Sequence, residues 1–342
     1  MSARVPVIAI VGANGQVGSE LTLALARDAG VRVVPVVRTA ASGDFLTHHG
    51  AACCVASPTN AAALREALAE ADVVLNCALP QGTPQQVRRA NAAIVDATLA
   101  ATPPGARYVF VSSTMAFGMP LGAASYRVYR VPRSRYAAEK RAAERRVFRR
   151  ARSLGREALV FRLGEVHGEL QRVSEQWRQL ARASRVALPN GGDAPCDAVF
   201  VGTIVEGVLA VARGDVPPAT YSVVEQPQMT LRALLAHYAR QAGTDPQVVS
   251  LPLPGAGRPR GPLAVLKAAA RRWAAGRRDM LLGLVPLSEE RTMRLKLAHL
   301  AASAAAASQR AEVAGAMTIG SRIGHVPGLR LPTTAGTRRA GS

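Results

Sequence analysis

An α/β fold, a doubly wound parallel sheet with a smaller C-terminal portion, is predicted by three features of the sequence. Short apolar runs alternate with longer Ala-rich helical patterns through roughly the first two hundred residues. The first run ends in a glycine turn that opens the first helix, and the alternation loosens after Gly168. Strand–helix alternation requires a parallel sheet, because parallel strands are joined by long crossovers that lay helices on both faces.

The elements follow in order. "VPVIAIVG" precedes a helix from about Gln16 to Ala29, and "VRVVPVV" comes next. "AACCVA" leads to a helix near Ala61–Ala71 and then "DVVLNCA". A helix near Pro84–Ala101 leads to "RYVFVSS", and a basic helix after Ser134 leads to "EALVFRLG". These runs are continuously apolar, as strands buried on both sides must be. Beyond Gly168, "CDAVFVGTIVEGVLAVARG", "TYSVVEQPQMTLRALLAHYARQAG" and "VVSLPLP" form the smaller portion.

Composition bounds the function. The chain has 342 residues, 49% hydrophobic and 19% charged, which is a globular composition long enough for a large core. Aromatic residues are 4% of the chain, which leaves few rings for stacking nucleic-acid bases, so no nucleic-acid partner is expected. The net charge of +20 concentrates in residues 126–156 and from Gly255 onward. Arginines solvated on helix faces are one reading of that charge; attraction to phosphate groups or an anionic membrane is the other. The four cysteines form no Cys-x-x-Cys pair, so neither a disulfide framework nor a metal site is expected, and a cytoplasmic location fits. No apolar run reaches the roughly 18 residues of a spanning helix.

"GANGQVG" sets Gly12, Gly15 and Gly18 directly after the first strand. A tight turn there lets the backbone N–H groups and the positive helix end approach a pyrophosphate. The strand–turn–helix context marks this as a dinucleotide site of the Rossmann type, with Asn14, Gln16 and Val17 completing the turn. The second strand ends in "PVVRTA", where an acidic residue would bind the ribose 2′-hydroxyl of NAD. Arg38 stands there instead and suits a 2′-phosphate, so NADP is expected in preference to NAD. Residues 1–170 form the NAD(P)-binding domain on this reading, with strands returning from about 195–225. Residues 171–325 form the smaller portion, and residues 326–342 read as a flexible tail.

Tyr136 and Lys140 are four residues apart, which puts a phenol and an ammonium on one helix face. A free tyrosine has a pKa near 10; a neighbouring ammonium stabilises the phenolate and makes proton exchange accessible near neutrality.

With "YVFVSSTMAFG", this pair, and "VFRLGEVHG" in order, the chain resembles the extended short-chain dehydrogenase/reductase family. The resemblance covers most of residues 5–245 and includes "LNCA", Asn91 in "RRANAAIVDA" and "FVGTIVEGV". It implies that Ser113, Tyr136 and Lys140 carry the proton chemistry, with Asn91 supporting the relay. It also implies cofactor contacts from Asn76, Ala78 and Lys140, the last at the nicotinamide ribose. Three departures matter. Met115 stands where family dehydratases have a glutamate, which weakens a dehydratase reading. Ser57 or a neighbour replaces an aspartate expected at adenine, and Phe117 replaces a tyrosine.

The resemblance implies an NAD(P)-dependent epimerase or oxidoreductase acting on a nucleotide sugar, with Arg130, Arg133, Arg135, Arg172 and Arg178 as candidate partners for its diphosphate. His167 either lines the pocket or packs nearby. A ketone reductase for an apolar substrate is the alternative enzyme, and a dinucleotide-binding sensor the alternative without activity. The segment "LAVLKAAARRWAAGRRDMLLGL" leaves peripheral membrane contact open, as it does closure over the pocket. A homodimer also stays open.

Overall fold

The computed structural model describes residues 4–117, 135–193 and 195–251. In chain order these form β1 (Val7–Val11), α1 (Gln16–Leu25), β2 (Arg32–Val37), α2 (Asp44–His48), β3 (Cys54–Val55), α3 (Ala61–Leu68), β4 (Val73–Asn76) and α4 (Pro84–Ala101). They continue with β5 (Arg107–Ser113), α5 (Arg135–Leu154), β6 (Glu157–Leu163), β7 (Glu165–His167), α6 (Arg172–Ala181) and β8 (Arg185–Pro189). The last are β9 (Ala198–Phe200), α7 (Val201–Arg213), β10 (Thr220–Val223), α8 (Leu231–Ala242) and β11 (Gln247–Leu251).

Seven strands form one parallel sheet in the order β10-β6-β5-β4-β1-β2-β3. The doubly wound Rossmann-type sheet expected from the alternation is therefore present. The order reverses between β1 and β4, which opens a crevice at the carboxyl ends of these two strands.

All five residues of β1 are buried, and its alternating side chains enter two separate cores. Ile8 and Ile10 pack with Leu21 and Leu25 of α1 and Ile204 and Val208 of α7. Ala9 and Val11 face the other way, toward Leu64 and Leu68 of α3, Leu99 of α4 and Val147 of α5. Burial of each large aliphatic side chain stabilises by about 1.5–3 kcal/mol, so this central strand anchors the crevice beside it. A third cluster holds Trp177, Val186, Leu188, Leu234, Leu235 and Tyr238, beneath the parallel pair β8–β11.

Two local differences have clear causes. α1 stops at Leu25, short of the expected Ala29, because the Asp28 carboxylate accepts the Gly30 N–H at 2.8 Å and turns the chain toward β2. α2 is one short turn of helix in a stretch with no helical periodicity, so the sequence pattern does not signal it. Among the described residues, no helix is long and apolar enough to cross a membrane. The basic segment after Gly255 and the tail 326–342 lie outside the described residues, as do Arg130 and Arg133.

Candidate active site

The turn between β1 and α1 is closed by backbone contacts that exclude side chains. Gly12 has φ +79° and donates its N–H to Val36 O at 3.1 Å, while a Cβ on it would fall 2.7 Å from Ala78 Cα. A Cβ on Gly18 would fall 2.3 Å from Gly12 O. Glycine is thus required at both positions by space, and at Gly12 by backbone conformation as well. Gly15 caps α1, whose first turn has no acidic residue, and Asn14, Gly15 and Gln16 are exposed. An uncompensated helix N-terminus over a side-chain-free cradle fits a pyrophosphate-bearing dinucleotide. Val17 packs against the core behind the turn.

Ala78, expected as a cofactor contact, sits directly against Gly12. Asn76 is only 1% exposed, and its amide is turned inward. Its Nδ2 donates to Tyr108 Oη at 2.7 Å and Thr98 Oγ1 at 3.4 Å, and its Oδ1 accepts the Ala78 N–H at 3.1 Å. Its side chain therefore shapes the backbone of the crevice instead of facing a ligand. Arg38 is exposed just beyond β2, beside the hydrogen-bonded hydroxyls of Thr39 and Ser42. Ser57 bonds Thr59 Oγ1 at 2.8 Å.

Tyr136 and Lys140 share the first turns of α5 but differ in environment. Lys140 is 7% exposed, and its Nζ donates to Val111 O at 2.9 Å. The same Nζ lies 5.1 Å from the Phe110 ring centre and 5.8 Å from that of Tyr136. Burial lowers its pKa to about 8, against the opposing influence of nearby Cys77 and Glu144. Burial pushes the Cys77 thiol up to about 12, so it is a neutral neighbour. Tyr136 is 39% exposed and reaches solvent. Ser113 ends β5, one residue beyond Ser112, and its Oγ accepts the Met115 N–H at 3.2 Å. A half-open phenol above a buried ammonium can exchange a proton with a ligand hydroxyl or carbonyl.

Other expected residues lie elsewhere. Asn91 lines a groove between α4 and α5 with Arg88, Ala92, Glu139 and Arg146, while the Lys140 ammonium bonds Val111. His167 is fully buried, and its Nδ1 bonds Tyr238 Oη at 2.8 Å. Burial lowers its pKa to about 4, so it is a neutral packing residue between Phe200 and Tyr238. Arg172 is exposed; Arg178 bonds Gly168 O at 3.2 Å and pairs with Glu175.

Four supporting groups escaped the sequence reading. The Glu20 carboxylate on α1 accepts the N–H groups of Glu169 and Leu170 and the Gln171 amide, tying the glycine-turn helix to the loop before α6. Asp197 accepts the Thr114 hydroxyl at 2.6 Å, beside Ser113. Glu144 and Arg162 form a buried pair. Only Glu144 had a signal: it repeats the four-residue step of Tyr136 and Lys140.

The family model described as NAD dependent epimerase/dehydratase matches residues 8–223. UDP-glucuronic acid 4-epimerase from Bacillus cereus, in complex with UDP-glucuronic acid and NAD, is 18% identical with a TM-score of 0.55, over 72% of this chain and 86% of that one. UDP-glucose 4-epimerase from Thermus thermophilus, complexed with NAD, is 22% identical with a TM-score of 0.52, over 72% and 86%. RMD from Pseudomonas aeruginosa, complexed with NADPH, is 20% identical with a TM-score of 0.54, over 71% and 87%. At these identities the likeness is one of fold. No curated protein matches the chain.

Proposed function

From its membership of the NAD dependent epimerase/dehydratase family, to which this chain belongs as an NAD(P)-dependent enzyme, we propose that it oxidises and reduces a sugar carbon of a nucleotide sugar, as an epimerase or reductase. The observation that carries the reading is the buried Lys140 ammonium 5.8 Å from the ring of a half-open phenol. The solved structure with UDP-glucuronic acid supports the substrate class.

The dinucleotide, when bound, supplies hydride chemistry at its nicotinamide. The chain's own residues do the rest. Gly12, Gly15 and Gly18 hold the pyrophosphate at the N-terminus of α1, and Arg38 favours a 2′-phosphate, hence NADP. Lys140 lowers the proton affinity of Tyr136, whose oxygen takes or gives the substrate's hydroxyl proton. Ser113 hydrogen-bonds the same substrate oxygen, and Asn91 lies on α4 in the groove beside this helix. Met115 has no proton to transfer, which weighs against elimination of water.

A second reading, reduction of an apolar ketone, is favoured by Leu79, 54% exposed just after Ala78 at the crevice. One experiment separates the two. Purified protein is assayed with NADP and NAD on UDP-sugars and on apolar ketones, and bound dinucleotide is sought by native mass spectrometry. Interconversion of UDP-sugar epimers with retained dinucleotide is the expected result, and turnover of ketones alone would replace it. Tyr136→Phe is expected to lower turnover ~10²–10⁴-fold with dinucleotide affinity unchanged; undiminished turnover would refute the role of Tyr136.

A further inference from the structure

The Tyr136–Lys140 step continues for one more turn of α5, to Glu144. Glu144 faces the sheet and is 5% exposed, too deep for an unpaired carboxylate. Three donors meet it. Ser112 Oγ, from β5, donates to its Oε1 at 2.5 Å. Arg162, from β6, donates through Nε to Oε1 at 2.9 Å and to Oε2 at 3.1 Å, and through its terminal nitrogen to Oε2 at 2.6 Å. The guanidinium is itself largely covered, at 16% side-chain exposure. A fork of this kind fixes the carboxylate in position and orientation.

The fork lies between the catalytic strand and the catalytic helix. Ser112 directly precedes Ser113, and Val111, which accepts the Lys140 ammonium, precedes Ser112. Residues four apart on a helix have Cβ atoms about 5–6 Å apart, so the carboxylate lies one turn from the ammonium. Among the described residues, the other groups facing Lys140 are Cys77 just after β4, the Phe110 ring and Val111 carbonyl from β5, and Tyr136 on α5. Cys77 is held neutral by burial, which leaves Glu144 as the anion among these neighbours. Arg141, one residue beyond Lys140, donates its Nε to Ala116 O and is a cation on the same helix.

We propose that Glu144, clamped by Ser112 and Arg162, is a positioning residue that keeps the Lys140 ammonium charged beneath Tyr136. The inference rests on the proposed role of Tyr136 and Lys140 and adds a group that touches neither substrate nor cofactor. Desolvation drives the buried lysine toward its neutral form, and a neutral lysine would give no help to a phenolate. The fixed carboxylate opposes that drift, and Arg162 limits how far, because its own charge works against Glu144.

The two partners therefore predict opposite effects. Glu144→Gln removes the anion and exposes Lys140 to Arg162, so Lys140 loses its proton at lower pH, by about one pH unit. Arg162→Gln leaves the carboxylate unopposed, so Lys140 holds its proton to higher pH. Damage to packing would move both variants the same way. The chain has three lysines, Lys140, Lys267 and Lys296, so ¹³C-labelled lysine gives three side-chain resonances, with Lys140 assigned from Lys140→Met. Titration of these resonances in the full chain, with folding checked by circular dichroism, reads Lys140 without any substrate. Shifts of opposite sign are expected, and the alkaline limb of turnover should move with them. An unmoved Lys140 resonance, or shifts of one sign, overturns the proposal. If one of them does not fold, Glu144→Met or Arg162→Met takes its place, so that both signs are read. Should Tyr136→Phe keep full turnover, the catalytic reading falls instead, whatever the titration gives.

Discussion

The two faces of α5 carry charge in opposite ways. On the inner face, Ala137, Lys140, Ala143, Glu144, Val147 and Ala151 are buried, and Lys140 and Glu144 have fixed partners on the sheet; the helix's third buried charge, Glu139, turns to α4 and pairs with Arg88. On the outer face, Arg145, Arg149 and Arg152 are exposed around Phe148, and none pairs with a carboxylate among the described residues. Water and salt screen the outer charges, so each acts weakly on anything nearby. The inner charges sit where desolvation is costly, so each changes its neighbours' proton affinity. Most of this helix's charge therefore says little about function, while the two charges buried against the sheet say a good deal. The basic character that invites a phosphate- or membrane-binding reading belongs to the outer face.

Removing the inner cation should have the largest effect, and in two directions at once. Lys140→Met is expected to lower turnover ~10²–10⁴-fold. It should also stabilise the fold. A folded-state pKa of about 8 lies below the ~10.4 of an unfolded lysine, so the unfolded chain binds the proton more tightly. The penalty is complete below pH 8, and it fades as pH rises from 8 toward 10.4. After loss of the Val111 hydrogen bond is subtracted, Lys140→Met should be about 1–2 kcal/mol more stable than wild type at pH 7. That margin should narrow by pH 9.5. Urea unfolding at the two pH values measures it, and a variant less stable at pH 7 than wild type would show that the lysine's packing outweighs its desolvation.

The sequence made the sheet and the glycine turn legible because both follow from local rules. Strands buried on two faces must be apolar throughout, and a turn this close to Ala78 must lack side chains. Tyr136 and Lys140 were legible from one helical step. What lay hidden depended on contacts between distant segments. Glu20 reads as an ordinary helix residue until the loop at Glu169–Gln171 folds onto it. Asn76 appears in a strand-end motif, and only its contact with Tyr108 shows that its amide faces inward. His167 ends β7 and borders a glycine, which suggests a pocket, yet Phe200 and Tyr238 enclose it. Spacing along the chain carries no information about such partners.

At the boundary between the two faces, Arg146 joins α5 to Asp96 of α4 through two hydrogen bonds. The side chains are 39% and 35% exposed, so screening leaves this ion pair worth roughly 0.5 kcal/mol. Arg146→Gln should lose about that much stability and leave turnover unchanged. A much larger loss would mean that the α4–α5 seam behaves like the inner face.

The smallest effect is expected from the outer face itself. Replacing Arg145, Arg149 and Arg152 together with glutamine lowers the net charge of +20 by three and breaks no ion pair among the described residues. Glutamine is nearly as good a helix former as arginine, so the helix itself is little changed. Unfolding free energy should stay within ~0.5 kcal/mol and turnover within about twofold, with weaker retention on a cation-exchange column. An altered pH profile in this triple variant would be the informative failure. Solvent screening could not then be isolating the surface arginines from Lys140, and the separation of the helix into a silent face and a catalytic one would not hold.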